Sequence, residues 1–169
     1  MKLHNLCSKD PKRLALNYIR IKDGFAYVTD ATVYAKIPIE LLPGGFLSSS
    51  DNYCIAASEW KTSKIWEAVQ IERIGKSVTC VSKKGVPYTF FLEDPSDINY
   101  PDIERYTNKD FVPIENIAID ASILANLQES LNMEYCILCF SGVRKTITIH
   151  SREHKDFVAG VMPINCQRI

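Results

Sequence analysis

Two spacings in the chain could do chemistry: the Cys136-x-x-Cys139 pair and the histidines of His150-Ser151-Arg152-Glu153-His154. The first would suit a soft metal ion or a redox disulfide, the second a zinc ion. Cys136-Ile137-Leu138-Cys139 is apolar and strand-like, and alternation along a strand sends the two thiols to opposite faces. The histidine pair lacks the Glu that follows the first His in a helical zinc motif. It also falls at a strand end, where a four-residue spacing keeps the rings apart. No Ser-His-Asp order, nucleophile elbow or phosphate-cradling loop occurs, since the seven glycines stand singly apart from Gly44-Gly45. Asp23, Asp30 and Asp102 lie in turn contexts, where an aspartate bonds local backbone. Trp60 and Trp66 could stack bases, but beside Ile65 and Val69 they read as core or interface. The expectation is a non-enzyme with no metal and no cofactor.

The bulk composition points the same way. With 46% hydrophobic and 24% charged residues, 169 residues suffice for a globular chain with a sizeable core. Twenty basic and twenty acidic residues cancel, so any contact with nucleic acid must come from a local patch. The first residues lack the apolar stretch of a signal peptide, and no segment reads as a bilayer span. Six cysteines without a secretory signal read as reduced thiols, which makes the expected location cytoplasmic.

The elements that must position any site begin with a hairpin, Leu16 to Lys22 and Phe25 to Thr29 around Asp23-Gly24, followed by a run from Thr32 to Ile39. Leu42 to Asp51 is turn chemistry and the best linker candidate. Tyr53 to Ala56 reads as a strand, and Ser58 as the cap of a helix through about Ile71. Ser77 to Ser82 and Tyr88 to Glu93 form a hairpin around Lys83-Lys84-Gly85. After Asn99-Tyr100-Pro101-Asp102 the order repeats. Asn116 to Asp120 reads as a strand, and Asp120 caps a helix through about Leu131 with a stripe at Ile123, Leu124, Leu127 and Leu131. Strands follow at Tyr135 to Phe140, Lys145 to His150 and Phe157 to Ile164. The reading is α+β, antiparallel sheet with helices on one face. A helix-less hairpin segment at 1–45 precedes two strand–helix–three-strand units at 46–110 and 111–169.

Three short segments, in order and at matching spacing, resemble the bacterial DNA polymerase III beta subunit, the sliding-clamp family. They are Asn17 through Asp30 with its Ala-Tyr-Val-Thr-Asp ending, Tyr100-Pro101-Asp102, and Val161-Met162-Pro163-Ile164. The resemblance implies a shortened DNA-clamp-like fold and a hydrophobic pocket for short linear peptides of replication or repair proteins. By position, Thr29, Val33 and Tyr34 would form one wall and Val161, Met162, Pro163 and Ile164 the other; the same residues also read as core between two strands. The chain has Ala31-Thr32-Val33 where the family follows Thr-Asp with Gly, a polar residue and usually Arg, which leaves the ligand open.

The resemblance further implies double-stranded DNA held by its backbone, without sequence reading, and assembly as a homo-oligomer, with no membrane partner. Lys61 and Lys64 on the first helix, with Arg73 and Lys76 after it, are the DNA-contact candidates. The second helix offers Ser122, Asn126, Gln128, Glu129 and Ser130 as polar positions and no base. The alternative is a stand-alone interaction or regulatory module that keeps the fold without ring or DNA.

Overall fold

The computed structural model describes residues 1–106, 117–134, 136–142 and 145–163. Its first strands are β1 (Tyr18–Lys22), β2 (Phe25–Thr29) and β3 (Val33–Pro38). Asp23 and Gly24 both take positive φ, +50° and +81°, which is the twist a two-residue hairpin loop needs and the reason an Asp-Gly pair stands there. β4 (Tyr53–Ala56) leads into α1 (Ala57–Ser63), after which β5 (Gln70–Ile74), β6 (Ser77–Val81) and β7 (Pro87–Phe91) form a meander. The helix α2 (Ala121–Leu131) precedes β8 (Cys136–Cys139), β9 (Ile147–Ser151) and β10 (Val158–Val161).

The architecture is α+β and the strand pairings are antiparallel. One sheet runs β4-β1-β2-β3-β10-β9-β8, and the other is β5-β6-β7. The two meet where the Cys54 and Glu93 backbones exchange hydrogen bonds of 2.9 and 2.8 Å. In the larger sheet β10 lies directly against β3, Val161 opposite Val33 and Gly160 opposite Tyr34. That pairing brings the two distant ends of the described chain together.

Alternation gives the sheet two unlike faces. Ile19, Ile21, Val28, Val33, Ala35, Ile37, Ala159 and Val161 are buried in one core with Trp60 of α1, Leu127 and Leu131 of α2, and Leu3 and Leu6 of a 3₁₀ turn. The opposite face carries Tyr27 and Tyr34, covered by Ile103 with Tyr100 packed against them. Asp120 caps α2 by accepting the Ser122 N–H at 2.8 Å, as its place before the apolar stripe leads one to expect.

The first helix is shorter than its sequence suggests. It stops at Ser63 because Lys64 turns left-handed at φ +46°. Gln70-Ile71-Glu72-Arg73-Ile74 then alternates in exposure as β5 and pairs with β6, so this stretch is strand rather than helix. Residues 117–120 carry no strand, and Asn116, Tyr135 and Ile164 lie outside the described residues. Among the described residues no helix is long and apolar enough to cross a membrane.

Candidate functional site

On the tyrosine-bearing face, where β3 meets the residues after β10, lies a cleft of about 400 Å³. Thr29 comes from the end of β2, Ala31 and Thr32 from the β2–β3 connection, and Val33 and Tyr34 from β3. Leu16 comes from the 3₁₀ turn before β1, Met162 directly follows β10, and Pro101 and Ile103 lie between β7 and α2. Among the described residues no charged side chain lines it. Its hydroxyl at Thr29 is already engaged, donating to the Val33 carbonyl at 2.7 Å and accepting the Ala31 N–H at 3.0 Å. A ligand here is therefore recognised by burial of apolar groups, the ordinary chemistry of a peptide-anchor pocket.

A tight turn shapes the wall. Asp30 accepts from the backbone N–H of Thr32 and Val33 and from the Thr32 hydroxyl, at 2.8, 2.9 and 2.7 Å. These bonds hold Ala31 at φ +81°, a conformation that a Cβ disfavours. Met162 donates its backbone N–H to the Thr32 carbonyl at 2.9 Å, while the Thr146 hydroxyl reaches its sulfur at 3.1 Å. Met162 remains 42% exposed, an unusual state for a large apolar side chain.

Of the residues expected to form the pocket, Thr29, Val33, Tyr34 and Met162 come together. Val161 does not join them: strand alternation turns it to the opposite face, where it is fully buried in the core. Val33 borders the cleft but is likewise buried among core residues. Pro163 is half-buried beyond the lining, and Ile164 lies outside the described residues. Leu16 and Ile103 carry no sequence signal for this role, whereas Pro101 stands in the Tyr-Pro-Asp segment.

The basic candidates scatter. Lys61 is exposed on α1, and Lys64 has left the helix as its left-handed cap. Arg73 sits on β5 rather than after a helix, and its guanidinium is bound to the buried Asp51, one bond being 3.0 Å. Lys76 lies in the β5–β6 turn, 3.9 Å from Asp94. A different basic neighbourhood surrounds the Leu3–Leu6 turn: burial first, then Lys61, Lys2 and Lys9, push His4 below the usual histidine pKa. The neighbouring Lys2, however, is paired with Glu129 of α2 at 2.7 Å.

The cysteines Cys7, Cys54, Cys80, Cys136 and Cys139 are free. Burial pushes the Cys7 thiol up to about 12 and the Cys80 thiol up to about 11, which leaves both protonated and inert. Among the described residues no three His, Cys, Asp or Glu side chains are grouped to hold a metal ion.

No protein-family model and no curated protein matches the chain. Solved structures do. The DNA polymerase sliding clamp from Bacillus subtilis superposes with a TM-score of 0.64 at 14% identity, over 97% of this chain and 62% of that one. The beta chain of DNA polymerase III from Streptococcus pneumoniae gives 0.67 at 13% identity, over 98% and 62%. The sliding clamp from Pseudomonas aeruginosa gives 0.64 at 11% identity, over 98% and 65%. The chain thus has the sliding-clamp fold in shortened form, spanning less than two thirds of the length of these structures.

Proposed function

With the clamp fold as premise, we propose that this protein is a non-catalytic tether that captures short extended peptides of replication or repair proteins through the cleft between Thr29–Tyr34 and Met162. The observation that carries this reading is the uncharged apolar cleft of about 400 Å³ with a part-exposed methionine at its rim. An apolar cleft beside a strand end suits a peptide anchored by one or two apolar side chains.

Assembly into a homo-oligomer is supported by β8, which among the described residues is one of the two edge strands of the seven-stranded sheet. Cys136 and Leu138 of this strand border an apolar groove of about 380 Å³ against Leu124 and Leu127 of α2, while Ile137 is 52% exposed on the strand's other face. An unpaired strand edge beside an apolar groove invites pairing with another chain. A closed ring would hold DNA by its phosphates, through Lys61 and Lys64.

Two observations favour the alternative, a stand-alone interaction module without DNA: Arg73 is consumed by Asp51, and α2 presents no base. Light scattering and duplex binding at low salt separate the two. A ring predicts a mass of several chains and an affinity that falls when Lys61→Glu and Lys64→Glu are combined. A strict monomer at high concentration with no DNA binding would leave only the module.

A further inference from the structure

We infer that Lys36, Glu104 and Tyr27 form a latch that holds the Pro101 and Ile103 wall of the cleft in place and thereby sets how tightly the cleft grips a peptide anchor. This rests on the peptide-capture reading and names positioning residues outside the cleft for that site.

The wall in question is Pro101 and Ile103, which belong to no strand of either sheet. Near them the segment is braced internally by Asp102, which accepts the Glu104 N–H at 3.2 Å and Arg105 Nε at 3.0 Å. Those bonds shape the segment without attaching it to the sheet. Three hydrogen bonds do attach it, one before Ile103 and two after it. The Tyr100 hydroxyl donates to the Tyr27 carbonyl at 2.9 Å. On the other side Glu104 Oε1 accepts Lys36 Nζ at 2.7 Å and the Tyr27 hydroxyl at 3.1 Å. Between these two anchors Ile103 packs onto Tyr27 and Tyr34, and Tyr34 is itself a cleft residue.

Lys36 is well placed to act as the fixed half of the latch. It stands on β3 directly opposite Tyr27 of β2 and Val158 of β10, in the middle of the sheet. Its ammonium lies 4.2 Å from the centre of the Phe25 ring and 5.8 Å from that of Tyr27, so it is aimed before Glu104 arrives. Lys36 also holds the Glu104 carboxyl below the usual carboxylate pKa, as a close ion pair does. An isolated exposed ion pair is worth little, but here one carboxylate takes a pre-aimed ammonium and a phenol together.

The test uses the full chain in four forms: wild type, Lys36→Met, Glu104→Gln and Lys36→Arg. Hydrogen–deuterium exchange across residues 98–106 reads the wall directly, and anisotropy with a fluorescein-labelled Ser-Leu-Phe-Ser peptide reads the cleft. Lys36→Met and Glu104→Gln should each speed exchange and weaken peptide binding by about fivefold, the ratio that the upper range for such a pair converts to. Lys36→Arg, which keeps the charge and the stacking, should do neither. Unchanged exchange in both breaking variants overturns the latch, as does faster exchange with unchanged peptide affinity. Absence of binding by the wild type would instead overturn the peptide-capture reading, and the exchange measurement then decides by itself whether the latch holds the wall.

Discussion

Gly160 offers a test in which fold and site are read by one substitution. It lies in β10 opposite Tyr34, and the Tyr34 ring lies over it. A Cβ at this position would stand 2.2 Å from Tyr34 Cε1, 2.4 Å from Cζ and 2.7 Å from the hydroxyl oxygen. Carbon atoms in contact prefer about 3.5–4.0 Å, so in Gly160→Ala the ring must move by more than an ångström. Tyr34 is 5% exposed and confined by Tyr27 and Ile103, which makes that movement costly. Gly160 is not among the positive-φ glycines, so alanine can adopt its backbone and the cost is steric. Overpacking of this kind costs about 1–3 kcal/mol, offset by the roughly 0.5–1 kcal/mol that alanine gains over glycine within a strand. The expected net loss is about 1–2 kcal/mol, measured as a lower urea midpoint with unchanged slope. Because Tyr34 lines the cleft, peptide affinity should fall as well. In a Tyr34→Val background the clash is gone and Gly160→Ala should instead stabilise by the roughly 0.5–1 kcal/mol that alanine gains over glycine. A variant as stable as wild type, or an equal penalty in both backgrounds, would refute the reasoning.

Ala31→Gly should stabilise the protein by about 1 kcal/mol, because the turn holds a Cβ-bearing residue at φ +81°; a thermal melt that is unchanged or lowered would contradict the strain. The stabilisation that Asp51 provides depends on pH. Its burial raises the carboxyl pKa, but the bonds from Arg73 and the Ser48 N–H outweigh burial and leave it below the usual 3.8. A depressed folded-state value means that the stabilisation is present above the unfolded pKa and is lost as pH falls below about 4. Asp51→Asn should therefore lower stability by about 1–3 kcal/mol at pH 7 and by much less at pH 3, read by denaturant unfolding at both. An equal loss at both pH values would remove the ion pair from the account.

Legibility in the sequence follows the range of the interaction involved. The β1–β2 hairpin is readable because Asp23-Gly24 carries its own turn geometry. The α2 helix is readable because Asp120 and the Ile123–Leu131 stripe are local signals, and both sit as expected. The end of α1 is not, since Lys64 adopts a left-handed cap that lysine does not advertise. Without that end, no sequence signal marks β5 or pairs Arg73 with Asp51. In the site, Thr29, Tyr34 and Met162 came from the resemblance of two distant segments, whose contact depends on the β3–β10 pairing. The side to which Val161 turns depends on the parity of that register, which no local pattern fixes. Ile103 and Leu16 reach the cleft by folding of the irregular segments that carry them, so periodicity could not reveal them.

The central claim is that the cleft captures peptide, and the most direct measurement is the anisotropy of a labelled peptide with adjacent apolar anchors, titrated with wild type and with Met162→Asp. Met162 reaches the cleft from an exposed position and lies in no hydrophobic core cluster, so the substitution should spare the fold while placing a charge in an uncharged apolar site. The account predicts saturable binding by the wild type that Met162→Asp weakens at least about tenfold, as loss of an anchor contact does. Equal affinity in the two proteins, or no binding by the wild type, would contradict it.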